Sequence, residues 1–179
     1  MLSTLRNVLS ILDAALLEKV EIVTGAEDKT GEQQLKNTFE IISNMSGLPK
    51  TLFVWDCDAA SIVTPLVETQ TVFKYCLPQN EANTKMKNGI ENLYSEEFFT
   101  EDVYTPPEEK VADNGTIIIK KHIDKPKFLT KIEAVNEAAV FENYRPLIEK
   151  MKTLIPVDNV STIPTPEVPV VQSQETDIQ

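Results

Sequence analysis

Two hydrophobic periods alternate along the first half of this chain. Leu2, Leu5, Leu9, Leu12 and Leu16 recur at near-helical spacing and predict an amphipathic helix over 2–18, capped from around Ser3. Residues 19–24, KVEIVT, then alternate apolar with polar and predict a short strand that ends at Gly25. A second helix is predicted over 31–43, with Leu35, Phe39 and Ile42 facing inward. Gly47 and Pro49 break the chain. Leu52 to Trp55 is uninterrupted apolar sequence, the pattern of a parallel-type strand buried on both faces. A short helix or turn around 61–68 leads to another strand, 71–77, closed by Pro78-Gln79-Asn80.

Downstream the pattern is more broken. Residues 81–88 read as a polar loop and 89–94 as a short helix, and Ser95 caps a further turn through Phe99. Asn114-Gly115 is a turn signal ahead of a small strand over 116–119. Helices are predicted over 127–139 and 141–154, with Pro146 near a helix start or a kink. Residues 156–179 hold four prolines, several Ser and Thr, acidic residues and no Lys or Arg. Such a segment has too little apolar surface to offset its ordering entropy and predicts a disordered, acidic Pro/Ser/Thr-rich tail. Over 1–155 strands alternate with helices, which predicts an α/β domain with a mostly parallel sheet flanked by helices.

Composition narrows this picture. Hydrophobic and charged contents of 41% and 25% are ordinary for a soluble globular protein, and 179 residues suit one domain. No apolar run approaches the ~20 residues of a membrane span, and no signal-peptide pattern opens the chain. A cytoplasmic location is expected. Cys57 and Cys76 fall in predicted strands, which favours buried thiols over a disulfide. The net charge of −11 excludes nucleic-acid binding through a generally basic surface. Binding of that kind needs a local patch, a metal or another subunit.

Asp56-Cys57-Asp58 follows the Leu52–Trp55 strand directly. Alternation along a strand would point both aspartates the same way at its carboxyl end, where open α/β sheets place their ligands. Two carboxylates so close repel unless a proton or a cation joins them, and a hard divalent ion such as Mg²⁺ suits oxygen ligands. A solvated turn is the competing reading. Glu91, after Gly89 and between Ile90 and Leu93, reads alone as a helix-start glutamate and gains weight only beside the aspartates. Lys120, Lys121, Lys125, Lys127 and Lys131 form the one basic island, either a solvated face or a phosphate contact. His122 is the sole histidine, so a histidine-rich zinc site is excluded. The Gly25–Gly31 loop matches neither phosphate-binding fingerprint and reads as a connection.

The succession KTLFVWDCDA, FKYCLPQN, GIENLY and DKPKF resembles the Toprim domain, in particular the C-terminal Toprim domains of ATPase-linked nucleases of the overcoming-lysogenization-defect type, which include phage-defence proteins. The resemblance covers roughly residues 5–154. It implies a Toprim-like α/β fold and metal-dependent cutting or nicking of DNA. It makes Asp56, Asp58 and Glu91 ligands of Mg²⁺ or Mn²⁺. Lys125 is similar to the family's late lysine near the scissile phosphate, with Lys127 as the fallback. It also implies an ATPase domain or subunit as partner.

The family's opening strand, which carries a glutamate, has no counterpart here; the nearest acids, Glu18 and Glu21, stand elsewhere in the pattern. A Toprim-like domain over 1–155 lacking its first strand is therefore expected, as a fragment, a separately encoded half or a decayed copy. The enzymatic expectation is an endonuclease active once the site is completed. The rival is a non-catalytic subunit that completes its sheet with a partner chain or a second copy. A receiver-like phosphotransfer domain fits less well, because it needs an upstream acidic pair.

Overall fold

The computed structural model describes residues 2–24, 31–111 and 116–155. It is a mixed α/β structure. Helices α1 (Leu2–Leu12), α2 (Ala14–Leu17) and α3 (Glu32–Ser43) precede strand β1 (Thr51–Trp55). Then come α4 (Ala60–Val63) and β2 (Val72–Cys76), a hairpin of β3 (Glu108–Val111) and β4 (Ile117–Lys120), and helices α5 (Lys125–Glu133) and α6 (Arg145–Leu154). Short 3₁₀ segments fill much of the rest.

The single helix expected over 2–18 is interrupted at Asp13. Its side chain accepts the Leu16 N–H at 2.9 Å and restarts the helix as α2, since a short acidic side chain competes for backbone donors. That bond, and then the Lys152 ammonium at 3.1 Å, holds the Asp13 carboxyl below the usual range.

β1 and β2 pair in parallel, Thr51 opposite Val72 through Trp55 opposite Cys76. Alternation sorts their side chains onto two cores. Phe53, Trp55 and Val72 pack with Phe39 of α3, Ala59, Val63 and Leu66. Leu52, Val54 and Tyr75 look the other way, onto a larger cluster built from Val8, Leu9, Tyr94, Phe128, Phe141, Tyr144 and Leu147. The small sheet is thus a partition with apolar layers on both sides, which is why β1 carries no polar alternation.

The edges of this sheet differ. On β2 the Lys74 N–H donates to Glu68 Oε1 at 3.0 Å, and Val72 exchanges bonds with Thr69. The Lys74 ammonium donates to the carbonyls of Val63, Thr64 and Leu66 and closes the end of α4. On β1, Thr51 and Trp55 bond across to β2, so the backbone groups of Leu52 and Val54 point away from it. Among the described residues nothing bonds to them.

Several expectations are corrected. The strand expected over 19–24 does not form: Val20 and Ile22 pack on the larger core, but no described strand pairs with the segment. The mostly parallel sheet is one parallel pair plus a separate antiparallel hairpin, in which Glu108 faces Lys120. The short helix or turn expected around 61–68 stands as α4 and the turn after it, but the helix expected over 127–139 runs from Lys125 to Glu133, and that over 141–154 is a 3₁₀ stretch, Ala138–Tyr144, followed by α6 with Pro146 in its first turn. The expected 31–43 helix and the strands after Pro49 and before Pro78 stand. Most of the Gly25–Gly31 loop, the Asn114-Gly115 turn and the tail over 156–179 lie outside the described residues. No helix among the described residues is long and apolar enough to cross a membrane.

Candidate metal centre

Asp56 leaves β1 at its carboxyl end, and the chain turns at once into a 3₁₀ segment, Cys57–Ala59. That turn ends the alternation on which a shared face for the two aspartates depends. Asp58 is exposed, whereas Asp56 is drawn inward. Asp56 Oδ1 is buried and has no hydrogen-bond partner. An unpartnered carboxylate oxygen is costly. The carboxyl answers by holding its proton more tightly, up to about 6. Burial is the main cause, followed by the negative charges of Glu91 and Asp58, with Lys125 pulling the other way.

Glu91, from a segment more than thirty residues away, is only 8% exposed. It sits in the 3₁₀ turn Ile90–Leu93 and pairs with the Lys125 ammonium at 3.3 Å. Gly89 makes this possible. Its φ of 75° with ψ of 177° belongs to a region reserved for glycine, and a β-carbon there would stand 2.5 Å from Glu91 Oε2. The carboxylate folds back over its own turn into the space a side chain would fill.

A polar clasp holds the turn. The fully buried Asn92 amide donates to the carbonyls of Met86 (2.7 Å) and Asn80 (3.2 Å), and its oxygen accepts the Asn80 N–H at 2.6 Å. Asn83 donates to the carbonyls of Asn92 and Tyr94 and accepts the Met86 N–H. Sequence reasoning missed these asparagines; their recurrence at 80, 83 and 92 in a polar loop was the available signal.

Lys125 starts α5, where Asp124 caps the helix by accepting the Lys127 N–H. Lys127 turns back to Asp124 at 3.2 Å, so Lys125 is the lysine that reaches Glu91. The rest of the basic island is also laced with acids: Lys121 pairs with Glu101 at 2.6 Å and Lys131 with Asp102 at 3.7 Å. The patch is thereby largely neutralised. His122 is exposed, and its backbone bonds to Thr105 at the base of the hairpin.

Both cysteines are free thiols and half-buried, and both lie at the site. Burial, and then the neighbouring aspartates, raises each thiol above its usual range. Cys76 Sγ donates to the Asp56 carbonyl at 3.1 Å.

As arranged, no three His, Cys, Asp or Glu among the described residues converge closely enough to encage one metal ion. Asp56 keeps a bare, buried oxygen in a field of excess negative charge. No model of a known protein family matches the chain, and neither does any curated protein or solved structure.

Proposed function

We propose that this chain supplies the acidic half of a metal-dependent phosphodiester-cleaving centre, with DNA as substrate and an ATPase domain or subunit as partner, in a Toprim-like fold. The observation that carries the reading is the buried, unpartnered Asp56 oxygen at the end of a parallel strand, beside Glu91 and Asp58. Asp56 and Asp58 would hold Mg²⁺ or Mn²⁺, and Glu91 would complete the charge. A divalent ion bound there would polarise a phosphate and lower the pKa of the attacking water. The chain's own residues do the rest. Gly89 and the Asn80–Asn92 clasp orient the Glu91 carboxylate. Lys125, its side chain 72% exposed, keeps an ammonium available to offset charge developing at the leaving oxygen.

Nicking of supercoiled plasmid with Mg²⁺ or Mn²⁺ tests the reading. With the partner that completes the site present, wild type is expected to nick, and Asp56→Ala to fall by at least about a hundredfold. Equal residual activity in both would sink the assignment.

The asymmetric sheet edges favour a second reading, a subunit that completes its sheet with another chain. Among the described residues nothing bonds to the N–H and C=O groups of Leu52 and Val54, and such groups are a template for strand addition, whereas Glu68 and Thr69 block the β2 edge. Light scattering is expected to give a mass above the monomer's 20.1 kDa. A clean monomer at micromolar concentration would count against it.

A further inference from the structure

The two acidic turns come from distant parts of the chain, and one side chain spans them. Cys57 sits between the aspartates, and its Sγ lies 3.6 Å from the Gly89 carbonyl and 3.8 Å from that of Lys87. The Gly89 carbonyl also accepts the Asn92 N–H at 3.2 Å, the bond that closes the 3₁₀ turn carrying Glu91. The thiol therefore reaches the same oxygen that defines the Glu91 turn. On the other side, Cys76 ties the Asp56 carbonyl to the end of β2. The Asp56–Asp58 turn is thus fastened at both flanks by thiols, and only the Cys57 fastening leads to Glu91.

We propose that Cys57 is a positioning residue that clips the Gly89–Glu91 turn to the Asp56–Asp58 turn through its S–H. What the clip serves rests on the metal-centre reading; the clip itself does not. Sulfur suits the span. A thiol donates usefully at distances where a hydroxyl, whose bonds run near 2.7–2.8 Å, falls short by most of an ångström. The long, soft contact sets the spacing of the two turns without drawing them together.

Three substitutions separate a donor from a mere filler. Cys57→Ala removes both donor and bulk, Cys57→Val keeps bulk without a donor, and Cys57→Ser keeps a shorter donor. Hydrogen–deuterium exchange over residues 86–92 is the primary readout, alongside thermal melting. Both Cys57→Ala and Cys57→Val are expected to speed exchange in that segment about threefold, the loss of one weak hydrogen bond, and Cys57→Ser to fall between them and wild type. The core around Phe128 should exchange as in wild type. Unchanged exchange over 86–92 in Cys57→Ala, or full rescue by Cys57→Val, overturns the clip.

Mn²⁺ titration runs in parallel. Affinity is expected to fall about tenfold in Cys57→Ala and Cys57→Val, with partial recovery in Cys57→Ser. A wild type that binds no Mn²⁺ would refute the metal centre, and the exchange result would still decide the clip.

Discussion

Asp56→Asn is expected to make the metal-free protein more stable at pH 7. A carboxyl with an ordinary value of 3.8 is held at about 6 in the folded chain. The folded state therefore binds that proton more tightly than the unfolded state does. The resulting stability is fully present below pH 3.8 and is lost as pH rises through about 6. At pH 7 the ionised Asp56 is a burden, shielded from water and repelled by Glu91 and Asp58. Fully shielded, a shift of this size is worth about 3 kcal/mol. The side chain is partly open to solvent, so about 1–2 kcal/mol is expected. Asparagine keeps the shape and drops the charge. Urea unfolding midpoints measured from pH 4 to pH 8 should nearly converge at pH 4, separate progressively up to about pH 6 and keep a constant gap above it, with Asp56→Asn the more stable. A less stable Asp56→Asn at pH 7 would mean that the carboxylate is satisfied in a way the geometry does not contain.

Phe128→Ala is expected to cost about 3–5 kcal/mol, a large share of the ~5–15 kcal/mol that holds a typical domain folded. The ring is 1% exposed, stacks on Phe99 at 5.0 Å and meets the edge of Tyr94 at 5.4 Å. Tyr94 in turn touches Phe98, Phe141 and Tyr144. The cavity would open between α5 and the segment that follows Glu91, against Tyr94 and Phe99. Phe128 lies one helical turn beyond Lys125 on α5, and Tyr94 lies three residues beyond Glu91. The ion pair is therefore expected to loosen along with the fold. The urea midpoint measures the loss, with the 78% exposed Val67→Ala as a control expected to stay within about 0.5 kcal/mol. A loss under about 1 kcal/mol for Phe128→Ala would show that this core is not the one that anchors α5.

Sequence reasoning singled out residues that the fold brings near one another, but it misread the sheet. Asp56, Glu91 and Lys125 are far apart in the chain, yet the fold brings Glu91 to Lys125 and places the charges of Glu91 and Asp58 where they act on Asp56. The marks were local: an apolar run ending in acids, a glycine two residues before a glutamate, and an island of lysines. What stayed hidden needed partners. Lys19–Thr24 has a strand's alternation, but a strand exists only where another supplies its hydrogen bonds. β3 reads Glu-Glu-Lys-Val and is exposed throughout, so no buried face marks it. Asp13 breaks the first helix by taking one backbone N–H, a local competition that periodicity does not register. The strand alternation that would give the two aspartates a shared face does not extend to them, because the strand stops at Trp55 and the 3₁₀ turn begins right after Asp56.

In the proposed metal centre, Asp56, with Asp58 and Glu91, would hold a divalent cation. Calorimetric titration of the full chain with Mn²⁺ at pH 7.5, repeated with Asp56→Asn, tests it most directly. Wild type is expected to bind one Mn²⁺ and Asp56→Asn to bind at least about tenfold more weakly, because the bare, charged oxygen is gone. No binding by wild type, or equal binding by both, would contradict the account.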